Sequence, residues 1–183
     1  MKAKGRTPMP ENVTRPRQRG FSLLEMLIAT VVLLVGVVAV MQLVPAAMQS
    51  NLNNRYDSTA VVIAQRELDQ MINRPLTDLQ FTDSDGRVIQ LGDPLTPNVV
   101  VGGPVQMVGN TVRINFTAAA VPNYNFLYQD LNDPTRPTYE VRWAVVTGAQ
   151  GATVVSKRFI VGAWKREQTR VSPPVTIDAW VQR

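Results

Sequence analysis

From Phe21 to Val44 the chain runs for 24 residues with a single ionisable side chain, Glu25. A helix of that length is about 36 Å long, slightly more than the ~30 Å hydrocarbon core of a bilayer. Leucine and β-branched residues stand on every side of it, including Val31, Val32, Leu33, Leu34, Val35, Val37 and Val38. That suits lipid or a bundle of similar helices, whereas a half-solvated surface helix needs one polar face. The sequence therefore predicts a membrane helix near the amino terminus. Its one charge is costly: an unpaired carboxylate near the bilayer centre is worth roughly 2.5 to 3.5 kcal/mol against insertion, so Glu25 calls for a partner.

Charge placement decides what the basic pI of about 10.0 means. Of the net charge of +5, the first 20 residues supply all: Lys2, Lys4, Arg6, Arg15, Arg17 and Arg19 stand against Glu11 alone. The remaining basic and acidic residues cancel, so no nucleic-acid partner is expected from the charge. Basic residues ahead of a membrane helix instead predict a cytoplasmic amino terminus and an exported carboxyl-terminal domain. The chain has no cysteine and no histidine. Disulfides, a Cys/His zinc site and Ser/His or Cys/His nucleophile pairs are thereby excluded.

Just before the apolar run stands Arg19-Gly20-Phe21-Ser22-Leu23-Leu24-Glu25. A small residue precedes an aromatic one, a glutamate occupies the fifth place after Gly20, and an unbroken apolar helix follows. This arrangement resembles the prepilin signal of type IV pilins and pseudopilins. The resemblance implies cleavage between Gly20 and Phe21 by a membrane prepilin peptidase that also methylates the new Phe21 amine. It implies storage in the inner membrane, extraction by an assembly platform, and packing with other pilin or pseudopilin subunits in a fibre. Glu25 would there accept a charge-assisted bond from the Phe21 amine of an adjacent subunit. The competing reading is an ordinary secretory signal cut near Val44-Pro45-Ala46. Glu25 would interrupt that signal, and the apolar run exceeds the usual ~7 to 15 residues.

Residues 1 to 18, with three prolines among scattered charges, read as an unstructured leader. After Pro45 the pattern turns amphipathic, with Met48, Leu52, Tyr56, Ala60, Ile63, Leu68 and Met71 at mostly helical steps. Pro45 removes a backbone donor inside this helix and predicts a kink or a locally melted turn. Pro75 predicts the helix end at Asn73-Arg74.

Short strand signals follow. Asp85-Gly86 is expected to turn Phe81 to Thr82 back into Val88 to Leu91, and Gly109-Asn110 to join Val105 to Val108 with Thr111 to Thr117. The stretch from Pro122 to Pro137 reads as a loop. Tyr139, Val141, Trp143 and Val145 alternate with Glu140 and Arg142, and together with Val154 to Ala163 predict the central strand pair. Beyond Pro173-Pro174, Val175, Ile177, Ala179 and Val181 predict a last strand, at an edge.

The expected fold is α+β, a long amino-terminal helix packed on a small antiparallel sheet, as in pilins. Its parts are a leader at 1–20, a membrane and assembly helix at 21–45, an amphipathic helix at 46–74 and an exported β-rich domain at 75–183. The run Tyr139-Glu140-Val141-Arg142-Trp143, with Phe159-Ile160-Val161 and Trp164, is similar to minor pilins of the PilV type. The function implied is a minor pilin subunit. The alternatives are a minor pseudopilin of a type II secretion system and a membrane-tethered exported binding domain or enzyme.

No catalytic, cofactor-binding or metal-binding residues are assigned. Asp83-Ser84-Asp85-Gly86 opens like a calcium loop but lacks its later ligands, so a hairpin turn is expected. Asp130, Asp133 and Glu140 are the carboxylates that could pair for glycoside hydrolysis, but nothing in the sequence fixes their separation, so no such role is expected. Tyr124, Phe126 and Tyr128 are expected to anchor a loop to the core.

Overall fold

The computed structural model describes residues 20–93, 95–151, 153–166 and 174–182. The leader, except Gly20, and Pro173 lie outside the described residues. The chain divides into two compact units, one ending at Ala47 and one beginning at Met48.

In the first unit the helix α1, which spans Leu23–Ile72, presents exposed side chains throughout. It is long and apolar enough to cross a membrane. The helix continues without interruption through Pro45, so of the kink or melted turn expected there the melted turn does not occur. Proline forfeits one bond to the carbonyl four residues back, and the neighbouring helical bonds carry the chain across the gap.

The second unit is built on two 13-residue strands, β7 (Thr138–Gln150) and β8 (Thr153–Lys165), paired antiparallel. The edge strand β9 (Val175–Gln182) pairs with β8. On the other side of β7 lie two short strands, β3 (Val100–Gly102) against Val145 and its neighbours, and β6 (Asn125–Gln129) against Thr138 to Arg142. β6 corrects the loop expected between Pro122 and Pro137. Its alternation of Phe126 and Tyr128 with Asn125, Leu127 and Gln129 has the two-residue period of a strand, obscured in sequence by the turn-forming residues around it. Two hairpins complete the unit: β1 (Gln80–Thr82) with β2 (Val88–Gln90), and β4 (Val105–Val108) with β5 (Thr111–Ile114). Both turns fall where Asp85-Gly86 and Gly109-Asn110 place them. β5 stops at Ile114, short of the expected Thr117.

The carboxyl-terminal part of α1 covers one face of β7 and β8. Ala60, Ile63, Ala64, Leu68 and Met71 join Tyr139, Val141, Trp143, Val145, Phe159, Val161 and Ala163 in one buried cluster. Burying side chains the size of Ile63, Leu68 or Met71 contributes about 1.5 to 3 kcal/mol each. Met48 and Leu52 also belong to the expected helical stripe, yet they are 63% and 42% exposed. The stripe continues in sequence past the point where the sheet ends to receive it. Glu67 falls inside the buried stretch; its Oε1 accepts from Arg66 at 2.7 and 3.0 Å, and its Oε2 has no hydrogen-bond partner among the described residues.

The opposite face of the strand pair is also covered. Ile114, Ala144 and Ile160 form a second cluster with Val105, Val112 and Phe116. Gly162 permits this approach, since a Cβ there would stand 2.8 Å from Ile114 Cβ. Glu140 and Arg142, which alternate with the apolar positions of β7, are buried on this second face. Arg142 Nε donates to Glu140 Oε1 at 2.8 Å, and its Nη1 donates to the carbonyls of Asn115 and Ala118 at 3.0 and 2.7 Å. Buried charge is tolerated because each group is paired.

Candidate processing and assembly site

Gly20, Phe21 and Ser22 are outside the helix, and Leu23 is its first residue. Phe21 is 78% exposed, and a Cβ added to Gly20 would meet nothing within 4 Å. The proposed scissile bond thus lies on open, non-helical backbone. Ser22 determines where the helix begins. Its Oγ accepts a hydrogen bond from the Glu25 amide at 3.1 Å, while its carbonyl accepts from the Met26 amide at 3.1 Å. That is the geometry of a helix N-cap, with Ser22 at the cap and Glu25 at the third helical position. Ser22 did not figure among the sequence-derived site residues. The signal was present as Ser-x-x-Glu ahead of an apolar run, the pattern of a capping box.

Glu25 therefore has two local reasons for its position. Its backbone N–H is satisfied by the cap, and its carboxylate sits in the first helical turn, where the helix dipole favours negative charge. The carboxylate itself has no partner among the described residues. Ile28, Ala29, Val32 and Leu33 stand three, four, seven and eight residues after Glu25 and so share one face of α1 with it. A carboxylate at the head of an otherwise apolar face can accept a donor from another chain without competition from the described residues of its own.

Pro45 lies 20 residues further on, within the helix, and takes no part in this cluster.

The other sequence candidates serve the fold. Asp83 Oδ1 accepts the amides of Asp85 and Arg87 at 2.9 and 2.8 Å, and its Oδ2 accepts Arg87 Nε at 2.6 Å. Burial alone would raise this carboxyl, but the bonds from Arg87 and the Asp85 amide hold it below the usual aspartate value. The Arg87 guanidinium thus supplies the positive charge in this turn. It also lies 3.8 Å over the Phe126 ring. Asp133 is held low chiefly by the amide and hydroxyl of Thr135, and further by Arg55, which it pairs with at 2.8 Å. Glu140 is engaged with Arg142 on the far face of β7, and Asp130 accepts the Asn132 amide at 3.0 Å. These three carboxylates are in separate structural bonds. Tyr124 and Phe126 pack on Trp143 at 5.8 and 6.0 Å between ring centres, and Arg66 lies 5.0 Å over Tyr128. Trp143 Nε1 donates to the Gln90 carbonyl at 2.8 Å, so the aromatic group is part of the core.

Residues 15–41 match the model of the prokaryotic N-terminal methylation motif. The match takes in Gly20, Phe21, Ser22 and Glu25 and most of the apolar half of α1. It supports a place for the chain in the pilin and pseudopilin class, and with the apolar helix it supports membrane anchoring. No curated protein and no solved structure matches the chain.

Proposed function

We propose that the chain is a minor type IV pilin-like subunit, a structural and interaction protein rather than an enzyme. The methylation motif at residues 15–41, laid over an exposed Gly20-Phe21 and a Glu25 carboxylate without a partner among the described residues, is the observation that carries this reading. A prepilin peptidase cuts after Gly20 and methylates the Phe21 amine. The basic leader holds the amino terminus in the cytoplasm, and the β-rich unit is exported across the inner membrane. During assembly the Glu25 carboxylate accepts the amine of a neighbouring subunit in the low-dielectric helix bundle. Desolvation offsets much of that attraction, so the contact sets register while apolar packing holds the bundle together.

Glu25→Ala tests the reading. The cap, Gly20, Phe21 and the apolar face remain, so insertion and leader cleavage should persist. Incorporation should fail, because removing one partner of a buried ion pair costs about 3 to 5 kcal/mol. The processed variant is expected in the membrane fraction and missing from sheared fibres, with Glu25→Gln intermediate. Entry of both variants into fibres at the wild-type level would sink the subunit proposal. Recovery of the wild type only with a secretion complex, and never with pili, would assign it instead to the pseudopilins.

A further inference from the structure

The cap at Ser22 bears on processing as well as on helix stability. A peptidase acting at Gly20-Phe21 must hold the backbone of that bond open, and a helix engages its own backbone groups. Here the helix stops two residues short of the bond. Two features set that boundary. One is the 3.1 Å bond from the Glu25 amide to Ser22 Oγ. The other is the ranking of the alternatives: phenylalanine is not among the residues that cap, whereas glycine is a fair cap, so the next usable boundary upstream is Gly20 itself. With the cap at Gly20, Phe21 becomes the first helical residue and the bond is drawn into the helix start.

We propose that Ser22 is a positioning residue for leader removal: its hydroxyl fixes the helix start at Leu23 and so keeps the Gly20-Phe21 bond in the non-helical form that the peptidase takes. This rests on the processing proposed above. The role is indirect, since Ser22 acts through the Glu25 amide and the helix boundary. It also gives Glu25 a second task within its own chain, because its amide closes the cap while its carboxylate stays available to a neighbour.

The test uses the full-length chain, pulse-labelled in membranes that contain a prepilin-type peptidase, with leader loss followed by gel shift and the mature terminus by mass. Ser22→Ala removes the cap and substitutes the best helix former, so cleavage should slow about fivefold, the population change expected from losing one cap. Ser22→Thr and Ser22→Asn retain a capping oxygen and should be cut at close to the wild-type rate. In the uncleaved chain in detergent micelles, the 13Cα shifts of residues 21 and 22 should become helical in Ser22→Ala alone. Wild-type cleavage of Ser22→Ala overturns the positioning role while leaving the processing reading intact. Thr and Asn variants as slow as Ala also overturn it, by showing that the peptidase reads the serine side chain directly. If the wild-type chain itself is never cut, the processing reading fails and this inference with it.

Discussion

The two halves of α1 have similar helical backbones and opposite surroundings. From Leu23 to Ala47 every residue is exposed, although nearly all are apolar. From Ala60 to Met71 the buried positions recur at helical spacing and meet a sheet supplied by the same chain. The second half completes its fold internally. The first half carries the side chains of an interior with no interior around it, so its environment must come from lipid or from other helices. The consequence for function is a division of labour: the unit from Met48 onward builds its own core, and the run before it is suited to anchoring and, in the proposed function, to association.

The comparison breaks most visibly on truncation. A fragment beginning at Asn51 loses the exposed apolar run and keeps the helical face that covers the sheet, so it should be a soluble, chiefly β monomer by size-exclusion chromatography and circular dichroism. A fragment beginning at Leu76 uncovers Val141 and Trp143 and should aggregate or fail to fold. Equal melting temperatures for the two would mean that the helix contributes nothing to the sheet.

Single substitutions sharpen the contrast. In the Asn51 fragment Trp143→Ala removes the centre of the core and its bond to Gln90, and should cost about 3 to 5 kcal/mol in urea denaturation. A loss under 1 kcal/mol there would show that the Trp143 core does not hold the unit together.

Acid should act more mildly, through two carboxylates of the second unit. Asp83 and Asp133 both have lowered values in the fold. A carboxyl lowered on folding contributes stability that is fully present above its unfolded value, about 3.9, and is lost as pH falls through the lowered one. The Asn51 fragment should therefore show no loss from these two groups between pH 7 and 5, and their contribution should fade below about pH 3.9. Asp83→Asn with Asp133→Asn should flatten that acid limb; an unchanged limb would place the titration elsewhere. The smallest effect is expected at the exposed pair of Arg158 and Asp178, 2.6 Å apart on β8 and β9. Arg158→Ala should cost no more than about 1 kcal/mol, and less in high salt.

Much of this molecule is legible locally. Gly20, Phe21 and Glu25 stand within six residues, and the apolar run that gives them meaning is contiguous with them. The strands β7, β8 and β9 announce themselves by alternation, and two hairpins by Asp85-Gly86 and Gly109-Asn110. The helix ends at Ile72, close to the boundary that Pro75 imposes. The Ser22 cap is equally local: Ser-x-x-Glu states it, on the same residues whose glutamate carboxylate marks the membrane signal.

What the sequence by itself determined, then, is whatever depends on neighbours along the chain: an anchoring helix with a processing motif at its head, and a set of strands and turns after it. Tertiary structure decided which surfaces those elements share. The aromatic stretch around Phe126 becomes a strand because the edge of β7 is there to bond it. Met48 and Leu52 stay exposed because the sheet does not reach them, though they repeat the pattern of the buried Ile63. Arg142, paired with Glu140, is interior because the segment after β5, from Asn115 to Ala118, lies over it on the second face of the sheet, where Gly162 leaves room for Ile114. Alternation along a strand records that two faces differ; burial of each face is set by what packs on it, and that partner lies tens of residues away in the chain.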